Sequence, residues 1–88
     1  MFRMWGKMID DNHLLKDATI CISDDSLSRT AMVFQALDEL CIRFDLGKPI
    51  WLDANIQEFK RHDKVRFKQD NFIEPIDFDY LEIQVIEE

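Results

Sequence analysis

The run FRMWGKMIDDNHLLKDATICI, from Phe2 to Ile22, decides the fold. Both halves are rich in Phe, Met, Trp, Ile and Leu, and Asp11-Asn12-His13 between them tolerates turn conformations. The run therefore reads as a β-hairpin with strands over 2–10 and 14–22. Charge chooses the register. A three-residue loop sets Phe2 opposite Ile22, Met4 opposite Ile20, Gly6 opposite Ala18, Lys7 opposite Asp17 and Ile9 opposite Leu15. A two-residue loop sets Lys7 against Lys16, and opposed like charges destabilise a sheet, so the three-residue register is expected.

Downstream, Ser23-Asp24-Asp25-Ser26 offers several helix N-caps, with negative charge at the positive end of the helix dipole. Val33, Phe34, Leu37, Leu40, Cys41 and Phe44 then recur at spacings of three and four, one apolar stripe on a helix expected over about 26–45. Gly47 and Pro49 supply its stop. At 1.5 Å per residue such a helix is ~30 Å long, enough to cross a small sheet.

Ile50-Trp51-Leu52 reads as a short strand at 50–52, closed by Asp53. Asp53 can cap a second helix that turns Ile56 and Phe59 inward and ends near His62 or Asp63. Lys64-Val65-Arg66-Phe67-Lys68 alternates charged and apolar side chains as a half-buried strand does, although the same residues could prolong the helix. After a turn at Gln69-Asp70-Asn71 and the constraint of Glu74-Pro75, Leu81, Ile83 and Val85 alternate with Glu82 and Gln84 in a last strand. Ile76, Phe78 and Tyr80 fall on the opposite parity, which a bulge or bend near Tyr80 would reconcile. The expectation is one α+β domain over 1–88, in chain order β-β-α-α-β-β with the short strand at 50–52. Its sheet is largely antiparallel, with one long helix packed on it.

Eighty-eight residues leave room for one core, and 47% hydrophobic with 33% charged residues is a folding composition. A formal charge of -7 opposes non-specific attraction to phosphate backbones and anionic membranes. The two cysteines, Cys21 and Cys41, are too sparse for a disulfide framework and form no Cys-x-x-Cys pair; both are expected as buried apolar fillers. Asp10 and Asp11 interrupt the N-terminal segment before a signal-peptide apolar run could form, and no apolar run approaches the ~20 residues that span a bilayer. A cytoplasmic protein without a membrane span is expected.

With the Trp5-Gly6-Lys7 start, the segments Trp51-Leu52-Asp53-Ala54-Asn55-Ile56 through Phe59-Lys60-Arg61-His62, and Asp77-Phe78-Asp79-Tyr80-Leu81-Glu82-Ile83, the chain resembles a group of small bacterial proteins of unknown function. The likeness runs over nearly the full length. It implies a bacterial cytoplasmic protein and carries no catalytic or binding residue.

Charge placement is uneven. Lys60, Arg61, Lys64, Arg66 and Lys68 gather five of the eleven basic residues, offset there only by Asp63. Such a segment can bind nucleic acid, phosphate or an acidic partner through charge-assisted hydrogen bonds. Equally, residues 69–88 hold seven acids and no Lys or Arg, so pairing of 64–68 with the last strand would explain both halves by cross-strand ion pairs. His13 beside Asp10 and Asp11, and His62 beside Asp63, lack metal-ligand spacing; no metal and no cofactor is expected. Ser23, Ser26 and Ser28 lie where a helix cap is needed, no Gly-x-Ser-x-Gly elbow exists, and Gly6 and Gly47 cannot build a phosphate loop. Nothing points to catalysis.

Aromatic content says more about surfaces. Seven Phe, two Trp and one Tyr are a large load for so small a core. On the hairpin register above, Trp5 shares a face with Ile9 and Leu15, opposite Phe2, Met4 and Ile20, so both faces of the hairpin are apolar. A helix on one side would leave the other as an association surface. The function expected is therefore a non-enzymatic protein-binding or regulatory module, homodimeric or with another partner. Its interface candidates are Trp5, Ile9, Leu15 and Trp51, and an anion or nucleic-acid binder through 60–68 is the alternative.

Overall fold

The computed structural model describes residues 1–88 and is α+β. Strands β1 (Phe2–Asp10) and β2 (His13–Ile22) precede helices α1 (Arg29–Phe44) and α2 (Asp53–His62), followed by β3 (Lys64–Phe67) and β4 (Tyr80–Glu87). A single 3-10 turn occupies Gln69–Asn71. The four strands form one open sheet in the order β2-β1-β4-β3, every neighbouring pair antiparallel.

The hairpin keeps the expected partners from Phe2↔Ile22 to Lys7↔Asp17, but the turn differs. Asp11 and Asn12 both take left-handed backbone, with φ of 50° and 63°, which is the requirement of a tight two-residue hairpin turn. A bulge between Met8 and Ile9 absorbs the extra residue, so Ile9 faces Leu14 and not Leu15. Lys7 thus avoids Lys16 although the turn is short.

Alternation along β1 puts Phe2, Met4, Gly6 and Met8 on the core face and Arg3, Trp5, Lys7 and Ile9 on the other. Helix α1 lies on the core face so closely that a Cβ built on Gly6 would stand 2.6 Å from Leu40 Cδ1. Its buried residues are Val33, Ala36, Leu37, Leu40, Cys41 and Phe44. Phe34 was expected on that stripe; it is 48% exposed, because the stripe is completed by Ala36, a position lying more squarely between Val33 and Leu40. The helix is shorter than expected at both ends. Its N-cap is Ser28, whose Oγ accepts from Ala31 N at 3.1 Å, while Asp24 closes a local turn by accepting from Ser26. The stop is Asp45 in left-handed conformation, ahead of Gly47 and Pro49.

Residues 50–52 are not a strand. Ile50 N donates to the Asn71 carbonyl and Ile50 O accepts from Asn71 Nδ2, so that segment pairs with the 3-10 turn and not with a sheet edge. Asp53 is the first residue of α2 and Leu52 its N-cap; Asn55 Oδ1 reaches back to accept from Leu52 N. Ile56, expected inward, is 36% exposed, and the inward residues of α2 are Phe59 and Asn55. The alternation over 64–68 resolves as a strand, with Val65 and Phe67 fully buried. Residues 76–79 remain irregular before β4, and the bulge against β1 falls at the far end, between Arg3 and Met4. Cys21, expected buried, is exposed on β2, where alternation places it beside Arg3 on the outer face. No helix is long and apolar enough to cross a membrane.

Candidate binding groove and the outer face of the sheet

Two surfaces are candidates for a site, one on each side of the sheet. On the core side, α1 and α2 leave a groove between them. The segment that joins the helices threads Trp51 beneath it, where the indole meets Phe34, Phe59 and Phe67 edge-on, at centroid distances of 6.1, 5.6 and 4.9 Å. The groove has a volume of about 360 Å³; Val33, Trp51 and Phe59 form its floor, Phe34 and Ile56 its walls. Trp51 is half-buried and packs against the core, while its Nε1 is buried and without an acceptor. The aromatic cluster therefore stands against solvent on the Phe34 side.

The charged side chains that line one end of the groove are basic, one of them offset by carboxylates outside the lining. Arg29, the first residue of α1, and Lys60, in the last turn of α2, are the charged residues that line it. Arg29 is committed: its Nη2 lies 2.8 Å from Asp63 Oδ1, its Nε bonds Glu88, and its guanidinium carbon sits 5.4 Å from the Phe59 centroid. These bonds, those to Glu88 most of all, hold the guanidinium pKa above its ordinary value although burial works the other way. Lys60 makes no ion pair.

Across the sheet, the outer face is mixed, an ion-pair network lying beside the half-buried Trp5, Ile9 and Tyr80. Glu82, only 4% exposed, receives Lys7 Nζ at 2.7 Å and Arg66 Nε at 2.9 Å. Burial pushes the Glu82 carboxyl up, but the hydrogen bonds and charges of Lys7 and Arg66 outweigh it and hold the pKa below the ordinary carboxylate value. Trp5 Nε1 donates to Asp17 Oδ2 at 3.0 Å, with Lys7 Nζ 4.1 Å from the indole centroid, and Arg66 lies 4.6 Å from the Tyr80 centroid.

The four interface candidates are accordingly not brought together. Trp5 and Ile9 lie half-buried on the outer face, Leu15 is the 51% exposed bulge residue of the edge strand β2, and Trp51 lies on the opposite side of the sheet. The aromatic load is largely absorbed: Phe2, Phe44, Phe59, Phe67, Phe72 and Phe78 are buried, Trp5 and Tyr80 on the outer face and Trp51 on the core side are half-buried, and Phe34 alone among the aromatic side chains is exposed. The basic segment divides as well. Lys64 and Arg66 project from the outer face of β3, Lys60 and Arg61 belong to α2 on the core side, and Lys68 follows β3 at the 3-10 turn. Arg66 forms the cross-strand ion pair with Glu82, whereas Lys60, Arg61, Lys64 and Lys68 are in no ion pair.

Two residues named above only as members of a turn and of a longer segment join the elements around Trp51. Asn55 and Asn71 are buried and bonded to each other, Asn71 Nδ2 donating to Asn55 Oδ1 at 2.6 Å. Asn71 also accepts from Lys68 N and donates to Ile50 O, so this pair pins the Trp51 segment, the start of α2 and the end of β3 to one another. Each asparagine sits three residues into its helical turn and accepts from the N-cap backbone N–H, but the N-cap residues are Leu52 and Lys68, so no capping-box pattern in the sequence signals the pair. The side chains form no group of three or more His, Cys, Asp or Glu able to hold a metal ion. No protein-family model, curated protein or solved structure matches the chain.

Proposed function

We propose that the chain is a non-enzymatic protein-binding module that seats a bulky apolar side chain of its partner between Phe34 and Ile56, on the edge of the Trp51 cluster. Phe34 carries this reading. A phenylalanine 48% exposed on a helix, held 6.1 Å from a tryptophan and facing an apolar cavity, is the geometry that excludes water once a partner side chain enters. Support comes also from rigidity: the Asn55–Asn71 bond fixes the segment that carries Trp51, and the Arg29 pairs tie α1 to the C-cap of α2, so the groove is formed before binding. Trp51 is retained from the expected interface candidates, and Phe34 and Ile56 beside it are proposed in preference to Trp5, Ile9 and Leu15. We place the protein in the bacterial cytoplasm, in keeping with the resemblance and with an exposed free thiol at Cys21.

The test is selection of peptides from a random display library on the folded chain. Selected peptides should share a bulky apolar residue and lose about tenfold in affinity on Phe34→Asp, roughly the cost of one well-buried anchor. Ile42→Asp, at a position 79% exposed on the same helix, should leave them unaffected. Peptides that bind both variants equally would refute the assignment.

A further inference from the structure

The groove has a polarity that the chain as a whole does not share. Net charge is -7, yet no carboxylate lines the groove and its charged residues are Arg29 and Lys60, both at the end where the N-terminus of α1 meets the C-terminus of α2. Asp63 and Glu88 already hold Arg29. The charge left free is that of Lys60, with Arg61 next along α2 and also outside any ion pair. The other lysines outside any ion pair, Lys16 on the edge strand β2, Lys64 in β3 and Lys68 just after it, do not line the groove.

Resting on the reading of the groove as a docking site, we infer that its partner is an acidic segment, in which a bulky apolar anchor is followed or preceded by carboxylates that meet Lys60. Charge complementarity carries the inference. An apolar anchor alone would fit the floor of Val33, Trp51 and Phe59 in either chain direction, and a carboxylate against Lys60 fixes one. The preference also runs against the long-range field. A chain of this net charge attracts basic peptides over most of its surface, so stronger binding of an acidic one can arise only from a local cation.

The experiment uses the full chain with Trp5→Phe, which leaves Trp51 as the one fluorescent indole beneath the groove. The probes are short synthetic peptides of common core Leu-x-x-Phe whose remaining positions are Glu, Ser or Lys. The Glu peptide should bind roughly fivefold more tightly than the Lys peptide at low salt, the size of one exposed ion pair, and the ratio should shrink as salt rises. Lys60→Glu should abolish or invert the order, while Lys68→Glu, the same charge change away from the groove, should preserve it. Equal affinity of the three peptides, or preference for the Lys peptide, with binding still lost on Phe34→Asp would overturn the acidic partner and leave the docking site standing. Should none of the peptides bind, both would fall.

Discussion

Leu40 of α1 stands directly over Gly6 of β1, its Cδ1 2.6 Å from where a Cβ would be. Gly6 is thus required by close approach and not by a turn, for its φ is negative. Leu40 is completely buried, so its methyl groups have nowhere to retreat. This contact sets how near α1 lies to the sheet and so the height of the α1 wall of the groove.

Gly6→Ala should therefore destabilise the fold by about 1–3 kcal/mol, the usual cost of overpacking. Leu40→Ala alone should cost about 2–5 kcal/mol by leaving a cavity. In urea denaturation the double variant should cost less than the sum, since the new methyl occupies space the leucine vacates. Strict additivity would show that the two side chains do not compete.

Glu82 contributes an acid-sensitive part of the stability. Its folded pKa is lowered by Lys7 and Arg66 against the opposing effect of burial, so its contribution is fully present above the ordinary value of 4.5 and disappears as pH falls through the depressed one. Glu82→Gln should cost about 1.5–3 kcal/mol at pH 7, in line with loss of charge-assisted hydrogen bonds. The difference from the parent should narrow below the ordinary carboxylate value. A gap that stays constant down to strong acid would mean the pair is not formed.

Asn71 acts through partners it leaves behind. Asn71→Ala removes the bonds to Asn55, to Ile50 O and to Lys68 N, all part-buried or buried, and each orphaned group costs about 1–3 kcal/mol. Hydrogen exchange at the Leu52 and Lys68 amides should accelerate more than at the Phe67 amide, the Trp51 segment loosening before the sheet. Uniform acceleration would indicate global unfolding alone.

The two thiols should separate cleanly. Burial, with Asp38 adding to it, pushes the Cys41 thiol up to about 11, whereas Cys21 is exposed on β2. Mass spectrometry after brief alkylation of the native chain at pH 8 should find Cys21 modified and Cys41 intact. Both should react once the chain is unfolded in urea. Early labelling of Cys41 would place α1 off the sheet.

Much of this architecture is legible in the sequence because period-two and period-three-to-four patterns are physical consequences of strands and helices. Lys64 to Lys68 reads as a strand for that reason, and Leu37, Leu40, Cys41 and Phe44 read as the buried stripe. The hairpin pairing up to Lys7↔Asp17 follows from charge, but a bulge exchanges loop length for register without any trace in composition. Phe34 misleads because a large apolar side chain one position off a stripe has the same hydrophobicity as one on it. Seen from the sequence, Trp5 and Trp51 are equally aromatic; only the sheet order and the polar neighbours Asp17, Lys7 and Glu82 separate a satisfied indole from one beneath a groove. The Asn55–Asn71 bond spans sixteen residues, and no local periodicity announces it.

The proposed docking surface is tested most directly by backbone chemical-shift mapping of the full chain titrated with a peptide selected on it. The expected result is a contiguous set of shifted amides over the first turns of α1, the Trp51 segment and the α2 residues from Ile56 to Lys60, with β2 and the outer face quiet. Shifts centred on Trp5, Thr19 and Tyr80, with Phe34 and Ile56 unmoved, would contradict it.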